Sequence, residues 1–478
     1  MLFNSVEFVV FLVVVRILYG LLAHRKQNLM LLAASYVFYG WWDWRFLFLI
    51  AISTVVDYFC ALEIGRRSDA TARKRVLLIS LCSNLGILGF FKYFDFFVES
   101  ASVLLDSFGM PVSPTLLGIV LPVGISFYTF QTMGYTIDVY RGHQEPMKRF
   151  DSFALYVAYF PQLVAGPIER SQRLLPQIER PRHVTREDWN LGLQLIVFGF
   201  FKKLCIADGV APYVDRAFAH PGELSGPEML FGVYLFALQI YGDFAGYTNI
   251  ARGTSRLFGI RLTTNFRQPY LATSITEFWR RWHISLSTWL RDYLYIPLGG
   301  NRSGALFTYR NLGITMLLGG LWHGASWNFV IWGGLHGLAL AVHRLWDANR
   351  RRDPSSRAVT ERRGAMATLS RWIGVAATFN LVCLLWVFFR AADLPSSIRI
   401  LTTLFTNWEA PSLLLTSTCL GFLGVNLLLD LAARDNAEAL PVPANWSPWL
   451  SGLLYAALIL AISFIGDSNV RPFIYFQF

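Results

Sequence analysis

Two histidines, His283 and His323, stand 40 positions apart in a stretch that runs from Phe278 to Gly337. His323 lies in the apolar segment Gly320-Leu321-Trp322-His323-Gly324-Ala325, and His283 follows Phe278-Trp279-Arg280-Arg281-Trp282. A charged imidazole in such surroundings loses its water, so a histidine at membrane depth faces a partner or a water-filled cavity and is a functional candidate. The chemistry open to it is proton transfer, either as a general base toward a hydroxyl or as a relay in a transporter. The 278–337 block contains no cysteine to argue for a thiol nucleophile, and no Gly-x-Ser-x-Gly elbow supports a Ser-His-Asp triad. The histidine and carboxylate spacings match no metal ligand set, so no metal is expected. Plainer roles stand beside these. His323 can be a packing residue bonded to backbone carbonyls, and His283, beside Arg280, Arg281 and Arg291, an interfacial histidine on an amphipathic segment. His336 and His343, seven residues apart, share one helix face and read as packing residues.

Composition says what must position these groups. The chain has 478 residues, 54% of them hydrophobic, 16% aromatic and only 15% charged, with a mean hydropathy of +0.42. That excludes an ordinary soluble domain. Apolar runs long enough to cross a bilayer recur along the chain, and short alternating segments of the barrel type do not, so the expected fold is all-α: a polytopic transmembrane bundle of 11–12 spans plus re-entrant or interfacial helices. We read residues 1–478 as a single integral-membrane domain, without internal repeat or low-complexity tract. The net charge of +11 is spread over short loops, a pattern that sets topology and contacts anionic lipid head groups and does not point to nucleic acid. Five scattered cysteines read as small buried hydrophobes.

In chain order, residues 6–22 predict a retained first helix, and His24-Arg25-Lys26 places the following loop inside and the N-terminus outside. Asn28 to Ile64 predicts a helical hairpin with an aromatic tip at Gly40-Trp41-Trp42-Asp43-Trp44-Arg45. Val76 to about Tyr93 leads outward, and Leu116 to about Val139 returns as a helix kinked at Pro122 and Gly124. Its polar face, Ser126, Tyr128, Thr129, Gln131 and Thr132, is either a packing face or the lining of a cavity. Phe153 to Gly166, broken by Pro161 and flanked by basic residues, predicts a re-entrant segment. Residues 190–206 cross outward despite Lys202 and Lys203, and residues 229–250 return through Asp243. Pairing of Asp243 with Arg252, Arg256 or Arg261 is the structural expectation, and a catalytic role is the alternative. The basic linker 347–371 is expected inside, and spans at about 372–389, 412–432 and 446–465 bring the C-terminus outside.

The block from Phe278 to Asn301, followed by the segments around His323 and His336, resembles the membrane-bound O-acyltransferase superfamily in its alginate O-acetyltransferase branch, over nearly the whole chain. The superfamily's invariant histidine matches His323, and the earlier polar residue of the pair matches His283. The resemblance implies a helical bundle around a central tunnel, shaped in part by Phe160-Pro161-Gln162-Leu163-Val164-Ala165-Gly166-Pro167-Ile168. It implies transfer of an acetyl group from cytoplasmic acetyl-CoA, with His323 as general base and His283 binding or orienting the donor. The acceptor would be an exopolysaccharide such as alginate or cellulose, reached through a periplasmic SGNH-like partner carrying a serine nucleophile, and the location the bacterial inner membrane. The aromatic stretch Arg471-Pro472-Phe473-Ile474-Tyr475-Phe476-Gln477-Phe478 has two readings: an interfacial anchor, or a relay in which Tyr475 carries the acyl group. A competing class is a transporter or flippase of a lipid-linked sugar with the histidines as proton relays, although no inverted repeat of hydropathy is visible.

Overall fold

Long apolar runs leave a backbone in hydrocarbon one open-ended way to satisfy its own N–H and C=O groups. The computed structural model follows it, describing residues 1–302, 304–352, 365–443, 446–466 and 471–474, and among these every regular element is helical. Six helical runs are long and apolar enough to cross a membrane: His24–Arg66, Ala70–Ser107, Gly226–Arg256, Ala365–Arg390, Leu413–Ala432 and Pro448–Ile465. The first is two 20-residue helices, His24–Asp43 and Leu47–Arg66, separated by the turn Trp44–Phe46 at the expected aromatic tip, with Asp43 extended. Other segments we expected to cross are shorter helices, Val6–Leu21 and Ile125–Tyr140 among them, each of 16 residues.

The described residues fall into two units. The first comprises Met1–Ile196 and Tyr247–Thr263. Here the helix Ala70–Leu88 runs on through the π-turn Gly89–Tyr93 to Ser107, past the exit expected at Tyr93. The returning segment is not one kinked helix. It becomes helical only at Ile125, because Gly124 has φ +77° and an added Cβ there would press on the Leu163 carbonyl at 2.7 Å. At Thr132 the polar face of this helix is a packing face, and Thr136, one turn on, joins it. Thr136 Oγ1 donates to Asp57 Oδ1 at 3.3 Å, Asn84 Nδ2 to Asp57 Oδ2 at 2.8 Å, and Thr132 Oγ1 to Asn84 Oδ1 at 3.3 Å. The broken segment appears as expected: the helix Phe150–Ala158 ends at Tyr159, one turn follows at Phe160–Leu163, and irregular backbone leads to Arg170. Asp188 takes Arg256 at 3.0 Å and Arg261 at 3.3 Å.

The second unit comprises Val197–Gly246 and Thr264–Ile474. The π-turn Phe201–Ala207 buries Lys202 and Lys203, and this accounts for two lysines in a segment we expected to cross. Lys203 Nζ lies 2.8 Å from Asp208 and 2.8 Å from Asp243, while Lys202 Nζ stands 4.7 Å above the Tyr241 ring, whose hydroxyl donates to Asp430 at 3.0 Å. The expected Asp243–arginine pairing is therefore wrong: Lys203 is the partner, and Arg256 and Arg261 are taken by Asp188. Burying a charge is tolerable when it is paired and hydrogen-bonded in this way. Of the five cysteines four are buried, and Cys82, contrary to expectation, is exposed.

The helices Ala305–His323 and Trp327–Arg352 pack through glycines. An added Cβ at Gly320 would run into the Phe329 carbonyl, and one at Gly333 into the Met316 carbonyl. Only glycine permits so close a backbone approach, a membrane solution to packing without a hydrophobic driving force. Gly333→Ala is expected to lower stability by about 1–3 kcal/mol, as overpacking does. A thermal melt of the detergent-purified variant that coincides with the parent's would contradict this. Trp327–Arg352 and Ala365–Arg390 both extend into the expected linker, whose residues 353–364 lie outside those described.

Candidate active site

His323 is the last residue of the helix Ala305–His323, and extended Gly324 follows against the Phe329 ring, so the glycine-packed pair fixes where the imidazole stands. It is buried among aromatic rings, with centroids at 5.0 Å to Trp322, 5.1 Å to Trp332 and 5.3 Å to Phe389. His283 is brought to it at 6.4 Å between ring centroids.

His283 does not lie on an exposed amphipathic face. It is fully buried, with φ +43°, at the start of the helix Ile284–Leu290. A non-glycine residue in the left-handed region needs surroundings that hold it there. Asn265 supplies them: its carbonyl accepts the Ile284 N–H at 3.0 Å, and its Oδ1 accepts from Ser285 N at 3.1 Å and Ser285 Oγ at 3.0 Å. A backbone N–H can only donate, which fixes the amide's orientation. His283 Nδ1, 3.2 Å from the same Oδ1, therefore donates, and Nε2 carries the lone pair. Burial pushes the His283 imidazole down to about 3, so it is neutral at physiological pH. Asn265 was missed in the sequence, where nothing in its neighbourhood marks it.

Around the two histidines stands an aromatic shell. Trp332 stacks on Trp386 at 5.6 Å, and Trp282 lies 5.0 Å from Trp386. The indole N–H groups of Trp282, Trp332 and Trp386 are buried without a hydrogen-bond partner among the described residues. Phe244 meets His283 edge-on at 4.7 Å and touches Phe473 at 5.4 Å. Next to it, Asp243 Oδ2 accepts the Ile474 N–H at 2.6 Å, and Arg471 reaches Asp215 at 3.3 Å. Segment 471–474 is thus docked in protein, with Phe473 and Ile474 buried; Tyr475 lies outside the described residues. His336 and His343 are packing residues, as expected: His336 Nδ1 accepts from Trp279 Nε1 at 3.2 Å, and His343 Nδ1 lies 3.0 Å from Thr276 Oγ1. Among the described residues no group of three or more His, Cys, Asp or Glu is placed to hold a metal ion.

The sequence profile of the membrane-bound O-acyltransferase family matches residues 147–388, a span that includes both histidines. The chain belongs to the membrane-bound O-acyltransferase family. Among its relatives, this family member is 40% identical to the probable alginate O-acetylase of Pseudomonas putida, with 100% of both chains covered. It is 38% identical to the probable alginate O-acetylase of Pseudomonas aeruginosa, again over 100% of both. The peptidoglycan O-acetyltransferase of Helicobacter pylori is 38% identical over 78% of this chain and 73% of its own. The protein is a multi-pass membrane O-acyltransferase of the alginate O-acetylase branch, and an O-acetyltransferase by activity. The transporter alternative falls away.

Proposed function

We propose that the chain works as one acyltransferase domain, 1–478, in the bacterial inner membrane with both termini outside, taking an acetyl group from cytoplasmic acetyl-CoA and delivering it across the membrane for O-acetylation of an exopolysaccharide of the alginate or cellulose class. The relatives' names support a polysaccharide acceptor; a periplasmic SGNH-like partner would complete the transfer. The observation that carries the reading is the buried His283–His323 pair, 6.4 Å apart and held in an aromatic shell.

In this reading His323 takes the proton of an acceptor hydroxyl as its oxygen attacks the thioester carbonyl. The new C–O bond forms, the C–S bond breaks, and the proton passes to the departing thiolate. The thioester is already activated, so alignment and one base suffice. His283, neutral and fixed by Asn265, orients the donor. The unpartnered indole N–H groups of Trp282, Trp332 and Trp386 suit an acyl carbonyl, since a buried donor left unpaired costs about 1–3 kcal/mol.

The first hydroxyl acylated is, in our reading, that of Tyr475. Support comes from segment 471–474, whose Phe473 and Ile474 are buried in protein and which is tied to Asp243 and Asp215. This favours the relay over the interfacial anchor.

The donor half of the proposal is tested with His283→Gln. The purified variant is expected to raise KM for acetyl-CoA about tenfold, the equivalent of one lost hydrogen bond. The acid limb of its rate profile should stay in place, because the native imidazole, with its pKa near 3, is already neutral through that range. An unchanged KM, or an acid limb that moves, would contradict the assignment.

A further inference from the structure

A cavity of about 250 Å³ lies where three elements of the second unit meet: the start of the helix Ala365–Arg390, the end of the helix Leu413–Ala432, and the turn Pro269–Leu271. It is lined by two arginines, Arg371 and Arg434, together with Thr368, Trp372, Leu271 and Leu431. None of its lining residues is acidic. Among the described residues Arg371 has no carboxylate partner. Arg434 has one, Asp435, at 4.0 Å, and that side chain is 98% exposed and so contributes little.

We propose that this cavity binds the phosphate head group of an anionic phospholipid. Two arginines lining one cavity, with only an exposed carboxylate beside one of them, suit a phosphate diester in charge, and the paired N–H groups of a guanidinium suit its oxygens. The position selects the lipid-borne form over a soluble one. Both arginines lie at the ends of helices long and apolar enough to cross a membrane. Apolar side chains face outward next to the cavity: Trp372 and Ile373 from one helix, Leu428 and Leu431 from the other, all exposed. Acyl chains can run along that surface while the phosphate stays at the level of Trp372, where indoles prefer to lie. The cavity is also built in advance. Gln268 Nε2 donates to the Ala433 carbonyl at 3.2 Å, which ties down the end of one helix. Gly374, whose added Cβ would stand 3.1 Å from the Thr273 carbonyl, lets the other come close to the same loop. A bound lipid would clamp these helix ends to the loop that continues into Trp282 and His283.

The test is lipid retention by the full-length protein, purified in detergent, by native mass spectrometry. With phosphatidylglycerol and phosphatidylcholine offered in equal amounts, the protein is expected to keep phosphatidylglycerol and release phosphatidylcholine. Arg371→Gln combined with Arg434→Gln should weaken that retention by ~25-fold, taking about fivefold for each basic residue near an anionic head group. Excess inorganic phosphate should not displace the lipid. Equal retention of the two lipids, or undiminished retention by the double variant, would overturn the proposal. Displacement by inorganic phosphate alone would overturn it too, since it would assign the cavity to a soluble phosphate. The wild-type comparison decides the lipid class whether or not the double variant folds, and none of these outcomes depends on His283, His323 or the acetyl donor.

Discussion

Tyr475→Phe is expected to abolish acetylation of the polysaccharide in cells while leaving acetyl-CoA binding by the purified protein unchanged. The substitution keeps the ring and deletes the hydroxyl, so it separates a chemical role from a packing one. A phenol with a pKa of about 10 is a far better leaving group than a sugar hydroxyl, and an acetyl-tyrosine therefore retains much of the thioester's transfer potential. The chain enters this tyrosine from a fixed point: Phe473 rests on Phe244, which itself meets His283, and the Ile474 N–H is bound by Asp243. Product acetylation and donor affinity, measured on the same variant, check the claim. Full acetylation would reduce the segment to an anchor and leave His323 acting on the final acceptor directly.

His323→Ala should lower acetyl transfer by about two to four orders of magnitude, the range a positioned general base contributes. The fold should survive, because the glycine interface that sets the helix pair lies at Gly320, Gly333 and Gly337, upstream of the imidazole and on the facing helix. His323 also ends its helix, so its removal leaves the preceding hydrogen-bond ladder intact.

Much of this was legible in the sequence because bilayer physics is one-dimensional: a run of apolar residues names its helix. The turn at Trp44–Phe46, the break at Tyr159 and the helices Leu413–Ala432 and Pro448–Ile465 all fall where the apolar pattern and its breakers put them. The candidate site was legible in its histidines, since His323 is conspicuous in apolar surroundings. What was not legible depends on residues far apart in sequence. Asp243 was assigned to nearby arginines, but a π-turn carries Lys203 to it and Asp188 has taken Arg256 and Arg261. The interfacial alternative for His283 rested on its basic neighbours, yet Asn265, 18 residues away, holds it in a buried left-handed conformation. The hydroxyl of Thr132 was readable as packing or as lining, and Asn84, from another helix, settles it as packing. Hydropathy reports burial; it does not say who the buried partner is.

We propose that His323 performs the chemistry and does not merely hold the donor. One measurement separates these directly: purified protein and its His323→Ala variant are given acetyl-CoA labelled in the acetyl group, and donor binding and single-turnover transfer are recorded on the same samples. Equal donor affinity and a transfer rate lower by about 10²–10⁴ are expected for a general base. Transfer at the parent's rate, or a loss explained entirely by weaker donor binding, would contradict it.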